Sequence, residues 1–383
     1  LNKSLLLTRQ EYMKKSERVI ALDVFRGITI AAMIMVNQPG SWDFRYGQMS
    51  HSAWHGCTLT DLIFPFFLFI VGVAMWFAFQ KQGQKLTPPL VKKIVRRTIL
   101  IFLTGIFINL SKQLMSTGEI NLAMLRITGV LQRIAICYGI GAFMCLLLSP
   151  KQLLLVSGGI LIGYWWVLWH FGGTDPYSAE HTIVSQIDAA LLGQNHLRSG
   201  HLVDASGLFG SIPAIVHVIW GYLLGRIVSL NADRKELVLK MFIWGVPAVL
   251  LAKIWDYVFP INKILWTSSY VLFSTGAALI ALAFLVWIID VNNKRGWISP
   301  VMAFGVNPLF AYVFAELWGS AMTYLIKVPL DGNLVSLKYY IFSQLFAPLA
   351  GNLNGSLLYS ALIMLFYWSI LWVLYQRKIY IKL

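Results

Sequence analysis

The sequence predicts an all-α fold, a polytopic membrane bundle of about ten transmembrane helices with both termini cytoplasmic. Three observations carry this. Of 383 residues, 58% are hydrophobic and 12% charged, with mean hydropathy +0.68, whereas soluble domains carry roughly 25% charged residues. Apolar runs near the ~20 residues that cross a bilayer as a helix recur along the whole chain. They are continuous rather than alternating with period two, which argues against a β-barrel.

In order, the spans fall near 18–37, 59–80, 95–111, 125–148, 152–170, 208–228, 237–256, 265–290, 300–323 and 355–376. They form one transmembrane domain, 18–376, between a cytoplasmic segment 1–17 and a tail 377–383. The first apolar run is interrupted by Asp23 and Arg26 and lacks a small-residue cleavage pattern, so it is not a secretory signal. The larger outer loops are 38–58, 171–207 and 324–354. In the last of these, the apolar stretch from Tyr339 to Leu349 is too short for a span and fits an interfacial or re-entrant helix.

Charge sets the orientation. The chain holds 31 Lys and Arg against 16 Asp and Glu, a net +15. In a soluble protein such an excess points to nucleic acid. Here 21 of the 31 bases fall on segments that lie inside if the N-terminus is cytoplasmic, and seven fall outside. The excess is therefore a positive-inside signature and implies a lipid partner rather than a nucleic-acid one. The three cysteines form no CxxC pair and read as small core residues.

Ionisable groups inside a bilayer are costly and tend to mark function. Asp23 and Arg26 share a helix face at i,i+3, and Gly27 beside them lets another helix approach closely. Arg126 and Arg133, seven apart, are expected on one face of the fourth span. Lys253 and Asp256 repeat the i,i+3 pairing. His217 lies in the sixth span, and Asn307 and Glu316 lie in the ninth. Each ion pair has a competing reading, in which it neutralises itself and only fixes packing.

The densest constellation lies between the first two spans. Asn37 closes span one, and Ser50-His51-Ser52-Ala53-Trp54-His55-Gly56 follows. Asp61 then opens span two, either as a helix N-terminal charge or as a catalytic carboxylate. A histidine at the membrane boundary can act as general base, with His55 the competitor of His51. An amide such as Asn37 can stabilise an oxyanion. His181, His196 and His201 have no helical metal spacing and are expected to be solvent-exposed.

These motifs are specific when taken together. Leu22-Asp23-Val24-Phe25-Arg26-Gly27, Val36-Asn37, His51-Ser52-Ala53-Trp54 and Asp61-Leu62-Ile63-Phe64-Pro65 come first. They are followed by Gly129-Val130-Leu131-Gln132-Arg133, Gly207 to Pro213, Pro260-Ile261-Asn262-Lys263 and Gly305-Val306-Asn307-Pro308. In this order they resemble the heparan-α-glucosaminide N-acetyltransferase family, from about residue 18 to 376.

The resemblance implies transfer of an acetyl group from cytosolic acetyl-CoA to the amine of a terminal glucosamine across the membrane. It implies His51 as the catalytic histidine, acting either as general base or as carrier of the acetyl group, Asn37 as the active-site asparagine and Arg133 as the motif arginine. With Asp61 as a third catalytic candidate, the donor candidates are Arg26, Arg133 and Asn307. The acceptor candidates are Trp54, Asp204, Asn262 and Lys263. The resemblance further implies a homodimer, no metal, and a bacterial-type member in the inner membrane with one span fewer than the animal form. One departure is Asp204-Ala205-Ser206-Gly207, where the family carries D-P-E-G, which leaves the acceptor open. The alternative function is an amino-sugar transporter without covalent chemistry. The lack of an evident inverted repeat with paired broken helices counts against it.

Overall fold

The computed structural model describes residues 19–381. The expected N-terminal segment 1–17 lies outside the described residues, as do Arg18 and Lys382. The helices are α1 (Ile20–Asn37), α2 (Leu59–Gln80), α3 (Pro88–Thr117), α4 (Val130–Leu147), α5 (Pro150–Phe171), α6 (Ile183–Leu192), α7 (Ser211–Leu230), α8 (Arg234–Trp255) and α9 (Ser268–Val286). After them come α10 (Ile298–Val306), α11 (Pro308–Ser320), α12 (Leu337–Ile341) and α13 (Ala347–Gln376). Among the described residues, nine helices are long and apolar enough to cross a membrane, and the bent pair α10 and α11, counted as one span, brings the number to ten. The protein is an all-α polytopic bundle.

Local sequence sets the helix ends. Ser149 and Gln152 form a reciprocal capping box at α5 with Pro150 in its first turn, and the Asp233 carboxylate accepts from Lys235 N to cap α8. The centre of the bundle is α7, whose apolar window is 72% buried, against 22% for α3 and α8 at the periphery. Small residues let α2 and α7 touch backbone to backbone. A Cβ on Gly72 would lie 2.0 Å from Val218 O, and one on Gly221 would lie 2.0 Å from Phe69 O.

Three expectations change. The fourth span starts at Val130, not 125. The segment before it is pinned in a non-helical path by Asn109, whose amide donates to Arg126 O (2.7 Å) and Thr128 O (3.0 Å). Arg126 and Arg133 therefore do not share a helical face. The ninth span is broken, because the residue before Pro308 is pushed out of helical geometry, and its halves meet at 79°.

The loop 324–354 is also more ordered than expected. Strands β1 (Lys327–Leu330) and β2 (Asn333–Ser336) pair as an antiparallel hairpin. Its turn residues Asp331 and Gly332 both adopt positive φ, as a two-residue type I′ turn requires. The apolar stretch 339–349 is not separate. It belongs to a run, Leu337–Gln376, that includes a π turn at Phe342–Phe346 and a left-handed break at Gly351.

Candidate active site

One face of the bundle carries the loop after α1, the 256–267 loop and the hairpin. The other carries the turns at 81–87 and 231–233 and the end of α13. A cavity of about 1460 Å³ joins the two. At one end it is lined by Lys93, Arg96 and Arg97 of α3 with Arg26 of α1, and at the other by His51, Asp61, Arg198 and Lys263. It exceeds the roughly 300–1,000 Å³ of a drug-sized pocket.

Its loop-face end is organised around the buried Asp61 carboxylate. Thr58 and Asp61 form the capping box of α2. Oδ2 of Asp61 accepts from Ser52 N, Thr58 N and Thr58 Oγ1, each at 3.0 Å, which folds the His51 loop over the helix start. Oδ1 is left for His51 Nδ1 at 2.7 Å and Lys263 Nζ at 3.3 Å. The two readings of Asp61 are thus compatible, since one oxygen caps the helix and the other faces the histidine.

An ionised carboxylate accepts only, so this bond places the proton of neutral His51 on Nδ1 and makes Nε2 the accepting nitrogen, with the Lys263 ammonium beside it. Half of the His51 side chain is exposed. Lys263 Nζ lies 2.8 Å from Nδ1 and 3.3 Å from Nε2. Burial lowers the His51 pKa below the usual imidazole value, the Asp61 bond opposes this, and Lys263 and Arg45 add to the lowering. Burial likewise lowers Lys263, with Asp61 opposing. Burial pushes the neighbouring Cys57 thiol up to about 12, which keeps it protonated and unreactive.

The 256–267 loop carries Lys263. Its geometry rests on buried Asn262, whose side chain accepts from Leu265 N (2.9 Å), and on Trp266, which is held at φ 55. Left-handed backbone at a tryptophan is strained and persists only where packing over-determines it. Here the indole meets Phe64, His217 and Tyr270 edge-on, and the Arg133 guanidinium lies 4.7 Å from the ring centroid.

The structure divides the sequence candidates into two groups. His51, Asn37, Asp61, Arg26 and Lys263 line the cavity. Asn37 makes no side-chain hydrogen bond among the described residues, so its amide remains available. The other five are not among the lining residues and hold the walls in place. Buried Arg133 donates to Ala205 O (2.9 Å) and Gly207 O (2.7 Å). Asp204 forms a two-point pair with Arg126 and accepts from Thr128 Oγ1. Trp54 Nε1 donates to Tyr177 O at 2.8 Å. Asn262 caps its loop. Asn307 donates to Ile379 O and accepts from Ile381 N, both at 2.9 Å. Arg26 pairs with Asp23 at 3.3 Å, as the i,i+3 spacing predicts.

Sequence reasoning did not single out several lining residues. Lys112, paired with Glu316, sits in the cavity wall, as do Arg45, Tyr312 and Lys338. The signal for Lys112 was a lone base at the end of a long apolar run. Of the loop histidines expected to be exposed, His196 is instead partly buried and bonded to Leu125 O at 2.7 Å.

The sequence comparisons agree with this architecture. The family model for the catalytic region of heparan-alpha-glucosaminide N-acetyltransferase matches residues 18–253. The mouse enzyme of that name is 28% identical over 364 residues, covering 79% of this chain and 54% of its own length. The human one is 27% identical over 358 residues, covering 79% and 53%. The chain thus spans about half the length of these curated relatives. With most of its length inside that family model, this polytopic chain belongs to the heparan-α-glucosaminide N-acetyltransferase family.

Proposed function

We propose that the protein is a membrane N-acetyltransferase that moves the acetyl group of acetyl-CoA to the amine of a glucosamine-type sugar. The observation that carries this reading is the cavity joining a basic end at Lys93, Arg96 and Arg97 to the His51–Asp61 pair. Such a passage suits a long donor whose charged head stays at one face while its thioester reaches the other. The three bases with Arg26 would hold the donor phosphates, since Arg and Lys recognise phosphate through charge-assisted hydrogen bonds. The positive-inside distribution supports a cytoplasmic assignment for that face, and the family resemblance supports a bacterial inner membrane. The family resemblance adds a homodimer.

The donor supplies an activated thioester. His51 Nε2 takes the proton from the attacking amine while the C–N bond forms, and Asp61 stabilises the resulting imidazolium without taking its proton. The Asn37 amide donates to the oxyanion of the tetrahedral intermediate. As the C–S bond breaks, His51 returns the proton to the departing thiolate, so the histidine is regenerated neutral.

The test uses the purified full chain, acetyl-labelled acetyl-CoA and a panel of amino sugars. N-acetylated product is expected from wild type. His51→Ala is expected to retain folding and donor binding while losing transfer, and normal turnover in that variant would refute the assignment. A passage from face to face also suits an amino-sugar carrier. Uptake of unmodified sugar into proteoliposomes, without acetylated product, would establish that reading instead.

A further inference from the structure

Of the six bases that line the loop-face half of the cavity, three form an ion pair with a carboxylate, Lys112 with Glu316, Arg126 with Asp204 and Lys263 with Asp61, and Arg198 lies in the field of Asp204. Arg45 and Lys338 also line the cavity, and neither has a carboxylate partner among the described residues. Lys338 is only 8% exposed and makes no side-chain hydrogen bond among them. Both cations gather on one indole. Arg45 Cζ lies 4.9 Å and Lys338 Nζ 5.2 Å from the Trp42 ring centroid. A cation–π contact holds a cation in place but leaves its charge uncancelled.

The cluster is firmly built. Arg45 Nε donates to Trp42 O at 2.7 Å. The loop that carries both residues is tied to α13, because Ser41 N donates to Ser356 Oγ (3.1 Å) and Tyr46 bonds Asn354. Phe44 stacks on Phe342 of the adjoining π turn, 6.4 Å between centroids. Trp42 itself is 53% exposed, which leaves the cluster open. Arg45 is close enough to His51 to bias its protonation. Two buried or half-buried like charges without a counter-ion are costly, and an anionic ligand relieves that cost.

We infer that Arg45 and Lys338, gathered on Trp42, form an acceptor subsite for an anionic group on the sugar whose amine meets His51. The group is a carboxylate, sulfate or phosphate, carried on the glucosamine or on the next sugar unit. The inference rests on the acetyltransferase reading for its link to His51, but not for the binding site itself.

The experiment measures equilibrium binding by titration calorimetry and, in parallel, acetyl transfer, on the full chain in nanodiscs of neutral lipid. The probes are glucosamine, glucosamine 6-sulfate, glucosamine 6-phosphate and a disaccharide of glucosamine with a hexuronate, which distinguish the three sources of charge. At least one anionic probe is expected to bind about tenfold or more tighter than glucosamine, because charge-assisted hydrogen bonds are the strong ones. Lys338→Met and Arg45→Met should each remove most of that preference and leave the affinity for plain glucosamine unchanged. Lys338→Arg, which keeps the charge, should restore it.

Equal affinity for all four probes in wild type, or a preference that survives both Met variants, overturns the inference. So does a loss that follows anionic lipid added to the nanodisc rather than the charge of the probe, which would make the cluster a headgroup site. Charge-dependent binding without acetyl transfer to any probe would instead refute the enzymatic reading and leave the subsite standing.

Discussion

His51 Nδ1 lies 2.7 Å from Asp61 Oδ1, on the oxygen that the α2 capping box leaves free. A carboxylate here fixes the tautomer of the imidazole, so the accepting nitrogen is Nε2. Asp61→Asn can present its amide to Nδ1, move the proton to Nε2 and remove the base. A loss of kcat of about 10³-fold or more is expected, on the scale seen when triad carboxylates are so altered. Donor binding should persist, and stability should fall by the weakened cap, about 1 kcal/mol, and further by the loss of the Lys263 counter-ion. Full activity in Asp61→Asn would exclude the orienting role.

Asn37 ends α1 on the cavity wall, its amide without a hydrogen-bond partner among the described residues. Asn37→Ala is expected to lower kcat by about 10²- to 10³-fold with both KM values near wild type, since the bond forms only with the oxyanion. Steady-state kinetics with each substrate varied in turn checks this. A defect confined to acceptor KM would assign Asn37 to binding instead.

The pH profile follows from the histidine's surroundings. A base with a lowered pKa works when neutral, so kcat/KM should fall as pH drops through a value below 6.5, the ordinary His51 reference. Lys263→Met removes one of the charges that depress it. The acidic limb of the profile should then move to higher pH, and activity at mildly acidic pH should drop relative to wild type. An unmoved limb would show that Lys263 does not tune His51.

The crossing of α2 and α7 has no room for a side chain. In Gly72→Val or Gly221→Val, the added Cβ starts 2.0 Å from a backbone oxygen of the facing helix. The helices must separate, and overpacking of this kind costs about 1–3 kcal/mol or more. Thermal melting in detergent should show a marked loss in either variant. Gly158→Ala, on α5, where nothing lies within 4 Å, should melt like wild type.

The bundle was readable because each span must satisfy its own backbone within about 20 apolar residues, a constraint written locally in the chain. Arg126 was misplaced for the opposite reason. Its surroundings are apolar, but its conformation is set by Asn109 and by Asp204, 78 residues away. The hairpin announced itself only through Asp331-Gly332, since four-residue strands are too short to show a period. Motif order and local chemistry singled out His51, Asn37 and Asp61, which line the cavity. They could not tell which motif residues face the cavity and which brace it. Arg133, Trp54 and Asn262 have partners in distant loops, and only the assembled fold names them. Lys338 escaped notice because its meaning lies in having no carboxylate partner among the described residues, and a missing contact leaves no pattern in sequence.

The amide of Asn307, at the break between α10 and α11, engages Ile379 and Ile381 as a neighbouring β-strand would, giving one hydrogen bond and receiving one. Ile381 in turn lines the cavity. Residues 379–381 are therefore masonry rather than a trailing end. A purification tag joined after position 383 hangs from a stone of the chamber wall, so preparations tagged and untagged at that end should be compared before donor affinities are interpreted.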